Sequence, residues 1–185
     1  MMSIIYIFWM YVILFAVIGA MRGWAKELLV AFSVITALAV NLLLEKYVHL
    51  VKNLAAPADL AQPGVDALRS LFWIRTIILI ALVYFGYQTV VIARFASKAV
   101  RERLQDSLFG AVLGGLNGYL VAGTILFYNH MANYPYPKII SPATDQAFIQ
   151  AVETMMKYMP PRFLGEPGIY FAVIIILIFI IVVYI

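Results

Sequence analysis

From Asp106 to Tyr128 the chain reads DSLFGAVLGGLNGYLVAGTILFY, with no charged residue after Asp106. About 22 such residues, wound as a helix, cross a hydrocarbon core of about 30 Å. Gly110, Gly114, Gly118 and Ala122 recur four apart, so one face of this helix carries almost no side chain. Ala111 and Gly115 form a second, shorter stripe beside it. In water such a face costs helix stability, because glycine loses more backbone entropy than alanine on ordering. In lipid it lets a second helix approach to backbone contact, and close packing of that kind drives association there. The spacing therefore predicts that Gly110, Gly114, Gly115, Gly118 and Ala122 are helix-packing positions at the hub of a small membrane bundle.

Composition fixes the solvent. Of 185 residues, 65% are hydrophobic and 12% charged, against roughly a half and a quarter in a soluble domain. This is an all-α, polytopic membrane protein in expectation, with four to five spanning helices and amphipathic segments at the interface. The net charge of +4 comes from bases scattered at helix ends, so nucleic acid is not an expected partner. There is no cysteine, which excludes disulfides and thiol chemistry.

Taken in order, a single membrane domain is expected over 1–185. Residues 4–20 are a first span of about 17 residues, near the lower limit. A cleaved leader needs a positive charge before its apolar run, and only MMS stands there, so the span reads as retained. Arg22, Gly23 and Glu27 follow, ahead of a second span over 25–44. The preferred reading is a tight interfacial hairpin with Arg22 and Lys26 snorkelling to headgroups, in which Arg22→Lys is tolerated. The competing reading is a buried Arg22–Glu27 pair. Residues 45–70 read as an outer segment broken by Pro57 and Pro63, with a short piece at Val48, Val51 and Leu54 along the interface. A third span covers 71–93, with Arg75 one turn inside and reaching headgroups. It is expected to run on into the connector, where Lys98, Arg101 and Arg103 meet lipid headgroups. After the glycine helix (107–128), residues 129–167 form a second outer segment. Phe148, Val152, Met155 and Met159 mark an amphipathic helix in it, ended by Pro160 and Pro161. Residues 168–185 are a last apolar run that spans or nearly spans. Its lack of a polar flank suggests that the natural chain extends further.

The hairpin and connector hold six Lys/Arg in short stretches, whereas the other side spreads seven over long loops. Base density puts the hairpin and connector in the cytoplasm and the N-terminus outside.

Two segments carry a resemblance. Met21-Arg22-Gly23-Trp24-Ala25-Lys26-Glu27-Leu28 resembles the RGxxxE hairpin of the colicin V production (CvpA-like) family. Arg103-Leu104-Gln105-Asp106-Ser107-Leu108-Phe109-Gly110-Ala111 is similar to that family's DRxLG segment, and the glycine helix continues it. Order and spacing agree over roughly 4–160. The resemblance implies a bacterial inner-membrane protein linked to colicin V export and envelope homeostasis, with no established catalytic residues. Ser107 and Asn117 stand where the family usually carries Arg, so no lipid or partner contact is carried over to them. The fifth apolar run is an addition, which suggests a different partner.

Among chemistries, His49 and His130 fall in outer loops, the acids are dispersed with none expected mid-membrane, and Gly114 to Gly118 follows no strand. No cofactor, metal or catalytic residue is expected, and the chain is not expected to be an enzyme. Three functions remain. The first is a structural or assembly protein, or one of envelope homeostasis, whose partners are the bilayer and other membrane proteins or itself. The second is an accessory subunit of a respiratory or photosynthetic complex. The third is a small channel or export-assisting protein.

Overall fold

The computed structural model describes residues 4–55, 63–88, 100–140, 142 and 145–184. All regular structure among them is helical: α1 (Ile4–Arg22), α2 (Trp24–Tyr47), α3 (His49–Ala55), α4 (Val65–Gln88), α5 (Val100–Met131), α6 (Gln146–Met156), α7 (Pro160–Phe163) and α8 (Gly168–Tyr184). Helices α1, α2, α4 and α5 are long and apolar enough to cross a membrane. At 1.5 Å per residue, even α1 with its 19 residues reaches about 28 Å. Helix α8 has 17 residues and is shorter, about 25 Å.

The glycine face of α5 is filled by α1. A Cβ placed on Gly114 would lie 2.8 Å from the Gly19 Cα and still closer to the Phe15 carbonyl oxygen. One placed on Gly118 would lie 2.7 Å from the Phe15 Cβ. On Gly110 it would meet the carbonyl carbons of Gly19 and Gly23, both at 3.1 Å. Backbone thus lies against backbone along three turns, and Gly19 supplies the matching gap on α1. Gly115 is looser, with only the Ala16 Cβ at 3.5 Å. Ala122 packs on the cluster of Phe8, Leu126, Val152, Met156 and Met159.

Helix α2 runs parallel to α5 and antiparallel to α4. Val30, Val34 and Ala37 of α2 form an apolar core with Leu79 and Val83 of α4 and Leu120 and Val121 of α5. Gly86 lets α4 close on α2, since a Cβ there would be 2.8 Å from the Ser33 Cβ. Outward faces carry large apolar side chains such as Tyr6, Met21, Ile77, Phe85, Phe109 and Val112, which lipid solvates without cost.

Several boundaries differ from the expectation. Helix α4 starts at Val65 rather than 71, because Asp66, Arg69 and Ser70 make polar first turns that a hydropathy threshold omits. Arg75 therefore sits nearly three turns inside α4. Of residues 94–104, read as the continuation of the third span, 94–99 lie outside the described residues and 100–104 open α5. Helix α3 covers the interfacial piece expected near Val51, which is buried. In α6 the buried stripe is Val152 and Met156, continued by Met159, while Phe148 is exposed. Asp145 caps that helix, accepting from the Ala147 N–H at 3.0 Å. The prolines that end it also open α7, where a missing N–H is no loss.

Candidate functional site: the one-residue hairpin and the polar centre beside it

Gly23 alone joins α1 to α2. Its φ of 86° and ψ of 157° belong to a region open essentially to glycine. It has no side chain with which to cap α2, so the first N–H groups of that helix need a partner from elsewhere. Asp106 of α5 provides it: its Oδ1 accepts from the Trp24 N–H at 3.0 Å. The next residue, Ser107, donates from Oγ to the Ala20 carbonyl at 2.9 Å, finishing the end of α1. A Cβ on Gly23 would fall 2.5 Å from Asp106 Oδ2. The two family-like segments are therefore one structural unit, in which Asp106 and Ser107 of α5 finish the facing ends of α2 and α1.

One turn into α2, Glu27 is wholly buried. Its Oε2 accepts from Asn117 Nδ2 at 2.9 Å, and the same amide nitrogen donates to the Glu27 backbone carbonyl at 2.9 Å. Asn117 is also wholly buried, midway along α5. Arg22 Nε stands 3.2 Å from Glu27 Oε1, in ion-pair range but without hydrogen-bond alignment. The same guanidinium donates from Nη2 to the Tyr87 carbonyl at 3.2 Å and lies over the Tyr87 ring, 4.2 Å from its centre. Four helices meet here.

This corrects the interfacial reading of Arg22 and Glu27. Gly23 does make the hairpin turn, but with no loop the first turn of α2 is drawn under the end of α1 and against α5. Glu27 cannot reach headgroups from there. Glu27 is thus an acid inside the bundle, one turn from the start of α2. Hydropathy could not find this, because Glu27 follows Arg22 and Lys26 and reads as the end of a polar stretch. The usable signal was Asn117, a lone amide in an apolar helix, which in lipid demands a polar partner.

Arg75 is corrected likewise. It pairs with Glu45 at 2.6 Å, its guanidinium faces the Tyr128 ring at 5.4 Å, and Asn41 Nδ2 donates to its backbone carbonyl at 3.1 Å. These groups edge a partly open cavity of about 180 Å³ that Phe127 and Leu164 also line. Of the expected headgroup bases, Lys98 lies outside the described residues, Arg101 is described only as part of α5, and Arg103 is exposed. Among the described residues no group of His, Cys, Asp or Glu is arranged to hold a metal.

Four long apolar helices around a polar centre define a polytopic membrane helix bundle. Residues 6–153 match the family model described as Colicin V production protein. The chain belongs to the colicin V production family. The match takes in the hairpin, the polar centre and the glycine helix, and ends before α7 and α8. Comparison with curated proteins and with solved structures gives no match.

Proposed function

We propose that this membrane protein of the colicin V production family acts without catalysis, as a packing and assembly component of the bacterial inner membrane in envelope homeostasis. The observation that carries this reading is the α1–α5 seam. The glycine face is taken up by the chain's own Gly19 and Phe15, so the four long helices form one closed unit. Partners, whether other membrane proteins or a second copy, then meet the outer apolar faces and α8. Among the described residues, the buried Glu27 is paired with Arg22 and the largely buried Arg75 with Glu45, which supports a structural use. The density of bases in the hairpin and connector supports a cytoplasmic side for both and an outside N-terminus.

The test is purification in mild detergent after crosslinking in intact membranes. A defined larger species, either with another membrane protein or as a homo-oligomer, is expected. A monomer under every crosslinking condition removes the assembly reading. A second reading, an export-assisting protein or small channel, is favoured by the Arg22–Glu27 pair, since ionisable groups inside a membrane mark pathways more often than packing. Solute or ion flux in proteoliposomes, abolished by Glu27→Gln, is its signature.

A further inference from the structure

We propose that the cavity beside Glu45 and Arg75 binds a zwitterionic headgroup, one whose ammonium stands a few bonds from a phosphate, as in an ethanolamine phospholipid. This goes beyond the assembly reading and does not depend on it.

The cavity holds about 180 Å³ between α2, α4, α5 and the segment Pro161 to Leu164. Its wall is divided: Leu38, Leu42 and Leu164 give apolar surface, while Glu45, Arg75 and Tyr128 give polar groups. Glu45 and Arg75 meet through a single hydrogen bond, in which Arg75 Nε donates to Glu45 Oε1 at 2.6 Å. Among the described residues, neither the two outer guanidinium nitrogens of Arg75 nor Glu45 Oε2 makes a hydrogen bond. The Tyr128 hydroxyl accepts from Asn41 Nδ2 at 3.4 Å and keeps its own hydrogen to donate. Both members of the ion pair stay partly accessible, Arg75 at 15% and Glu45 at 29% of the side chain. A cationic fork and an anionic oxygen, each with capacity to spare, thus border one space.

That pairing selects the ligand's charge. A lone anion drawn to Arg75 also faces the Glu45 carboxylate, and a lone cation drawn to Glu45 also faces the guanidinium. A zwitterion sets each of its charges against the opposite one and leaves the site neutral. Its phosphate suits the guanidinium fork, whose parallel N–H groups match phosphate oxygens, with the Tyr128 hydroxyl as a further donor. Its ammonium donates to Glu45 Oε2. The position of the cavity names the nearest source. Glu45 lies two residues before the end of α2, and Tyr128 closes the charge-free run of α5. Trp73, two residues before Arg75, is exposed and donates from Nε1 to the Tyr136 hydroxyl at 2.5 Å. Paired Trp and Tyr of this kind gather at the headgroup level of a bilayer. The lipid headgroup is therefore the carrier of this chemistry closest to the site.

The experiment is native mass spectrometry of the full chain in detergent, titrated with phosphatidylethanolamine and with phosphatidylglycerol of the same acyl chains. The expected result is one retained ethanolamine lipid, bound about tenfold or more tighter than the glycerol lipid, which has the phosphate but no ammonium. Glu45→Gln should cancel that preference by admitting the glycerol lipid, a change that a merely structural ion pair does not produce. Leu42→Trp fills the cavity from a half-buried position and keeps both charges, and it should abolish retention of the ethanolamine lipid. Should Glu45→Gln fail to fold, Leu42→Trp decides alone. Glycerophosphoethanolamine separates the sources. If it displaces the lipid at equal concentration, the site takes the headgroup chemistry from a soluble zwitterion, and if it does not compete, the membrane lipid is the ligand. Equal retention of the two lipids by the parent chain overturns the proposal, as does an ethanolamine preference that survives Leu42→Trp.

Discussion

At the residue scale, the hairpin depends on what lies opposite it. Gly23→Ala puts a Cβ at a positive φ and 2.5 Å from Asp106 Oδ2, so both backbone strain and contact oppose it. A loss of about 1–3 kcal/mol from the strain alone is expected in thermal unfolding in detergent. Asp106→Ala removes the acceptor for the Trp24 N–H and should cost about 0.5–2 kcal/mol, with Asp106→Asn largely restoring it. If the alanine variant were as stable as the parent, the capping role of α5 would be lost. Arg22→Lys, harmless on an interfacial reading, is now expected to weaken the fold. An ammonium cannot hold the Tyr87 carbonyl, the Tyr87 ring and Glu27 together as the guanidinium does.

At the scale of elements, α1 and α5 form the tightest pair, and neighbouring glycines separate packing from helix propensity. Gly114→Ala and Gly115→Ala gain the same intrinsic preference, about 1 kcal/mol. Their surroundings differ. The first puts a Cβ 2.8 Å from the Gly19 Cα, with backbone that cannot yield, and the second makes an ordinary contact of 3.5 Å with Ala16. Gly114→Ala should therefore lose about 1–3 kcal/mol, as an overpacked core does, and Gly114→Leu should lose more. Gly115→Ala should be neutral or stabilising. Melting temperatures of the two alanine variants decide it, and equal values would mean that the seam has slack.

At the scale of the whole molecule, α8 is attached to the bundle at its first turns. Ile169 is buried in the cluster with Leu38, Ala39 and Tyr128, and Glu166 bridges Lys46 at 2.9 Å. The Tyr170 hydroxyl and then the Lys46 ammonium hold the Glu166 carboxyl below its ordinary value. A depressed acid contributes stability above its unfolded value, about 4.3, and loses it as pH falls through the folded one. Amide-exchange protection at the start of α8, taken relative to the intrinsic rate at each pH, should accordingly fall in acid and stay constant between pH 6 and 8. Glu166→Gln should remove the dependence. Orientation is tested separately. The chain has no cysteine, so Gln105→Cys, in the exposed first turns of α5, is a unique label site. It should resist an impermeant thiol reagent in intact cells, and ready labelling would put the connector outside.

The sequence by itself determined what is local. Composition set lipid as the solvent, apolar run lengths set the spanning helices, and the four-residue recurrence set a small-residue face on α5. Gly23 marked the turn, because a positive φ is a property of one residue. Tertiary structure decided everything that joins distant residues. That Gly19 fills the glycine face, that Asp106 caps a helix beginning 82 positions earlier, and that Glu27 meets Asn117 across 90 positions have no periodic signature. Charge pattern put Glu27 and Arg75 at the interface, since a hydropathy window weighs each residue alone. Their burial follows from a hairpin without a loop and from helices close enough to bring partners, and burial of a charge is permitted only where a partner is in reach.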